Sequence, residues 1–195
     1  MEPATAELTT YTDESIRVEP YQQPMLVDVL MMRASAGLAQ QALGRELAND
    51  LAAWADGNAH NALAALFIAT DRANEAGRTK LTAADVAAAV EEMPVPCVTL
   101  GIVLALPANR QAVLRELVDL GPEERSSVTA TTAAIGGSED VDLSPGTVKR
   151  FLYEMAEAGV VERVQASTQG GQGRPPSRVE PRFPPTVFRR LYDLQ

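Results

Sequence analysis

Residues Leu143–Phe183, LSPGTVKRFLYEMAEAGVVERVQASTQGGQGRPPSRVEPRF, decide the fold. Ser144 predicts a helix cap, with Pro145 at the first helical position, where a missing N–H costs nothing. Val148, Phe151, Leu152 and Met155 recur at helical spacing, and Gly159 ends the helix. Val160–Ala166 alternates as a strand, Ser167–Ser177 is a turn-rich loop, and Val179–Phe183 returns. This order is the second half of a winged helix-turn-helix, a module that sets one helix in a DNA groove with a hairpin beside it.

Working backwards, Asn109–Leu120 presents Val113, Leu114, Leu117 and Val118 on one face. Ser126–Ile135 predicts a second short helix. Val98–Leu106 is nearly all apolar and reads as a buried helix. Before the Pro94-Val-Pro96 break lie four helical patterns: Pro24–Gly37, Leu43–Trp54, Asn58–Gly77 and Thr82–Met93. Thr82 and Asp85 have capping-box spacing. Helices this short must bury their stripes against one another. Thr186–Leu194 predicts a closing helix. The expected fold is mainly α: a helical bundle (18–94), then a winged helix-turn-helix with a small β-hairpin wing (95–195). Residues 1–17 form a poorly ordered lead-in.

Of 195 residues, 46% are hydrophobic, so a packed core is expected. No apolar run approaches the roughly 20 residues of a membrane span, and the start has no signal-peptide pattern, so a cytoplasmic location is expected. A single cysteine, Cys97, excludes an internal disulfide and a zinc knuckle. A single histidine, His60, argues against His-rich metal sites and a His-based triad. No metal and no cofactor are expected.

The net charge of -9 argues at first against nucleic acid. Its distribution argues the other way. Acids outnumber bases up to Pro145, whereas Gly146–Gln195 holds 8 bases and 5 acids. Only two lysines occur, Lys80 and Lys149, amid abundant arginine, alanine and acids. That composition resembles proteins of salt-loving archaea, where surface carboxylates maintain solubility and counterion release contributes less to binding.

On the predicted recognition helix, Thr147, Lys149, Arg150 and Tyr153 face outward. Thr147 suits a thymine methyl or a phosphate, Arg150 can fork onto guanine or phosphate, and Lys149 supplies point charge. In the wing, Gln172-Gly173-Arg174-Pro175 resembles the minor-groove AT-hook core, with Gln in place of its first arginine. Arg174 and Arg178 are the candidate wing contacts. For Arg182, Arg189 and Arg190 two readings are open: phosphate contacts, or ion pairs with Glu162, Glu180 and Asp193. Met25, Met31 and Met32 read as packing residues, and Trp54 as an anchor between helices.

Several motifs then come in a telling order. Pro20-Tyr21…Leu26…Val29-Leu30…Arg33 is followed by Gly57-Asn58-Ala59-His60-Asn61-Ala62-Leu63. Leu81-Thr82…Asp85-Val86 and Leu104-Ala-Leu-Pro107…Gln111-Ala-Val-Leu114 follow. Over about residues 16–192 this resembles the AAA+ lid and winged-helix domain of the archaeal origin-recognition initiators of the Orc/Cdc family. The resemblance implies double-stranded DNA as a partner, with other initiator or replication proteins as further ones. It departs from the family twice. No G-x-x-x-x-G-K-[ST] phosphate loop occurs, so no ATPase activity is expected of this sequence. The family's nucleotide-sensing arginine also falls on His60, which has a shorter arm and no permanent charge. The alternatives are a winged-helix transcription regulator that dimerises through its N-terminal helices, and the lid piece of an ATPase completed by another or a longer chain.

Overall fold

Side-chain caps determine where several helices start in the computed structural model, which describes residues 19–165 and 177–194. The lead-in and the wing tip with Arg174 lie outside the described residues. Helix α1 (Gln23–Gly37) opens on Pro24. It is followed by α2 (Arg45–Trp54) and α3 (Ala59–Glu75). The Asn58 side chain accepts from the Asn61 N–H at 3.1 Å and starts α3. Helix α4 (Ala83–Glu92) carries the predicted capping box: Thr82 and Asp85 each accept from the other's backbone N–H.

Next come α5 (Leu100–Leu104), α6 (Ala108–Asp119), α7 (Val128–Gly136) and α8 (Pro145–Glu157). Ser144 caps α8 by accepting from Thr147 N–H at 3.2 Å. Gly159, at φ +75°, reverses the chain after α8, a conformation that favours glycine. Strand β1 (Val161–Gln165) pairs antiparallel with β2 (Ser177–Pro181), with Val161 opposite Pro181 and Arg163 opposite Val179. Helix α9 (Pro185–Tyr192) follows.

The fold is mainly α, a helical bundle followed by a winged helix. Helices α1 to α4 pack on one another, burying Leu26, Leu30, Leu51 and Ile68. Helices α6, α7 and α8 form the second group, with β1 against α8 and β2 against α7. Its interior holds Leu114, Leu117, Leu152, Met155, Phe183 and Phe188. The Phe183 and Phe188 rings meet edge to face at 5.0 Å. Both groups join one continuous core, and α9 touches both α6 and α3.

Three expectations need correction. The Val98–Leu106 helix is only five residues long. Val98 N–H instead donates to Arg182 O at 2.6 Å, which holds its backbone outside the helix. The returning strand is Ser177–Pro181 and not Val179–Phe183, so the exposed Arg178 stands on β2. Met25 and Met32 are exposed, at 54% and 61%, because the buried stripe of α1 runs through Leu26, Leu30 and Ala34. Separately, Cys97 Sγ lies 3.9 Å from Nε2 of His60, 37 residues away in the chain.

Candidate nucleic-acid interface

Helix α8 turns Val148, Phe151, Leu152 and Met155 inward, which leaves the opposite face to solvent. Lys149 and Arg150 are exposed there, and Thr147 and Tyr153 are half-buried. The Thr147 hydroxyl is engaged locally, 3.0 Å from Ser144 Oγ. Its methyl group remains the part suited to an apolar contact.

Glu154 lies within this cationic face. It accepts from Arg110 Nη2 at 2.6 Å and lies 3.7 Å from Arg150 Nε. The Arg110 guanidinium also stacks over Phe151, 4.4 Å from the ring centre. One carboxylate thus offsets part of the charge of two arginines. If this face meets DNA, Glu154→Gln should tighten duplex binding by about fivefold at low salt, because it removes a repelling charge and frees Arg150. Fluorescence anisotropy measures this. Weaker binding would instead mean that Glu154 serves mainly to aim Arg110.

Tyr153 gathers two further cations. Lys149 Nζ lies 5.8 Å and the Arg163 guanidinium 4.5 Å from its ring centre. Arg110 and Arg163 escaped the sequence reading because each approaches α8 from a separate element. The one local hint was an outward-facing tyrosine on a helix followed closely by a strand.

On the hairpin, Arg178 Nε donates to Glu180 Oε1 at 2.6 Å, two residues along the same strand. Arg182 is half-buried, and its main chain bonds both Val160 and Val98. Its Nε is buried with no hydrogen-bond partner among the described residues. Arg189 and Arg190 form ion pairs, but with unexpected partners. Arg189 Nε donates to Asp119 at 2.7 Å, and Arg190 Nε to Asp71 at 3.1 Å, with Glu75 beside it. Asp193 is taken by Arg115 at 3.0 Å.

His60 lies on another element, in the helical bundle. It is the second residue of α3, half-buried beside Cys97 and Val98. Burial pushes its imidazole below the ordinary 6.5, against a smaller opposing effect of the Val98 backbone. Burial likewise pushes the Cys97 thiol up. Among the described residues no helix is long and apolar enough to cross a membrane.

No protein-family model matches the chain, and no curated protein matches it. The chain is similar to the solved Aeropyrum pernix ORC1 protein in complex with DNA. The identity is 20%, over 96% of this chain and 50% of that one, with a TM-score of 0.44. It is similar to the Aeropyrum pernix ORC2 protein in its ADPNP–ADP complexes at 18% identity, over 97% of this chain and 49% of that one, TM-score 0.41. The ADP form of that ORC2 protein gives 18%, 97%, 48% and 0.39. The chain spans about half the length of these archaeal proteins.

Proposed function

We propose that this chain binds double-stranded DNA as a replication-initiator-like module of the origin-recognition type, without an ATPase core of its own. The observation that carries the reading is the outward face of α8. It offers Lys149 and Arg150 beside a hairpin that bears Arg163 and Arg178, on the third helix of a winged helix. Arg174 and Arg182 complete the proposed contact set with Thr147 and Tyr153. Residues 18–94 are the proposed lid-like domain and 95–195 the DNA-binding domain.

The initiator half of the reading rests on the motif order, which has a physical counterpart. Tyr21 N–H donates to Gly57 O at 3.0 Å, so the two leading motifs pack together. The acidic remainder suits a protein that stays soluble in concentrated salt.

Duplex binding followed by anisotropy tests the proposal. The Arg150→Ala plus Arg174→Ala variant should bind about tenfold more weakly or worse. Unchanged affinity would reject this reading surface. A dimer that prefers a palindrome would point to a transcription regulator, and a monomer on an asymmetric element to an initiator.

A second reading, a lid piece completed by further polypeptide, is favoured by Met25 and Met32, which stand exposed two turns apart on α1. It would make His60 a candidate nucleotide sensor. Calorimetric titration with ATP, with and without DNA, separates it: no heat in either case counts against it.

A further inference from the structure

Building on the DNA-binding reading, we infer that Lys149, Tyr153 and Arg163 form a clamp for one backbone phosphate, with Tyr153 as its positioning residue. Charge pairing sets Lys149 and Arg163 apart from Arg110, Arg150 and Arg178 around them. Arg110, Arg115, Arg150, Arg178, Arg189 and Arg190 all form ion pairs with carboxylates. Among the described residues, Lys149 and Arg163 have no such pair. Both lie over the Tyr153 ring instead, one from α8 and one from β1.

Two like charges drawn to one ring repel each other. The negative face of the ring offsets part of that cost but neutralises neither cation. The result is a doubly charged, exposed spot held in place before any ligand arrives. Such preorganisation lowers the ordering cost of binding. A phosphate oxygen pair is the chemistry that relieves the repulsion.

The surroundings fix where the phosphate sits. Tyr153, Arg163 and Arg182 line a cleft of about 340 Å³ between α8 and β1, but Glu157 and Glu162 line it too. Those carboxylates repel an anion from the cleft floor. Lys149 lies one helical turn before Tyr153, away from Glu157. The phosphate therefore binds outside the cleft, on the Lys149 side of Tyr153. A backbone phosphate reaches that side when the outward face of α8 lies along a groove.

The test is the affinity for mixed-sequence duplex DNA over a potassium chloride series, read by anisotropy. Arg163→Ala should weaken low-salt binding severalfold and reduce the slope of log affinity against log salt by about 0.9. Tyr153→Leu should weaken binding comparably, and Tyr153→Phe should restore it, because the ring positions the cations and the hydroxyl does not. Adding Tyr153→Leu to Arg163→Ala should then cost little more, as for residues acting as one unit. A wild-type slope in Arg163→Ala, or fully additive losses, would overturn the clamp. If Tyr153→Leu fails to fold, Arg163→Ala on the exposed strand decides alone. A clamp failure in which Arg150→Ala still weakens binding leaves the DNA reading intact. A wild-type chain that binds no duplex at low salt defeats both.

Discussion

Gly57→Ala is expected to destabilise the fold by about 2–4 kcal/mol, read as a lowered urea midpoint in circular dichroism. Two effects add. Gly57 sits at φ +78°, where a side chain costs roughly 1 kcal/mol. A Cβ there would also lie 2.6 Å from Pro20 Cβ and 2.8 Å from Tyr21 O. The second contact is with backbone, which cannot rotate away. Gly77 supplies the control. Its φ is +68°, but nothing stands within 4 Å of its Cβ position. Gly77→Ala should therefore show only the conformational part, about 1 kcal/mol. Equal losses at both sites would mean that Pro20–Tyr21 does not hold against the bundle in solution.

Asp85→Ala is expected to cost about 2 kcal/mol. The Asp85 carboxylate, 5% exposed, takes both Arg78 guanidinium nitrogens at 2.7 Å. It also accepts from the Thr82 N–H at 2.9 Å and from its hydroxyl at 2.7 Å. Arg78 itself stands at the surface, where solvent screens the pair, so the loss stays below that of a fully buried one. The Arg78 hydrogen bonds, then those from Thr82, hold the carboxyl well below its ordinary 3.8 against the opposing effect of burial. A depressed acid stabilises the fold fully above its unfolded value and loses that contribution as pH falls through its folded one. Acid titration of wild type should thus show a loss of stability that continues below the unfolded value of 3.8. Asp85→Asn should flatten that slope. An unchanged slope in Asp85→Asn would assign the acid sensitivity to other groups.

Local chemistry made much of this fold legible. Ser144 and the Thr82–Asp85 box cap helices where their spacing predicted, because a cap bonds its own first turn. Non-local chemistry was not legible. The Val98–Leu106 run is apolar enough for a longer helix, yet the bond from Val98 to Arg182 holds its start extended. The arginines of α9 pair across 70 and 119 residues, whereas the reading offered Glu162, Glu180 and Asp193 as partners. On the candidate interface, Lys149 and Arg150 followed from helical phase alone. Arg163 needed the hairpin to fold back along α8, and Arg110 needed α6 to cross it. No spacing rule carries either approach.

The contacts of α9 bear on how the two halves are joined. Helices α1 to α4 pack on one another within one short run of chain, so their mutual contacts are local ones. Their orientation relative to α8 rests on longer-range contacts. Arg190 reaches back to Asp71 and Glu75, and Thr186 N–H to Glu92 Oε1 at 3.3 Å. Helix α9 therefore bridges the two halves, holding the bundle through Arg190 and the Thr186 N–H and holding α6 through Arg189. Because much of that seam is ionic and exposed, salt should loosen the junction between the halves before it touches either apolar interior.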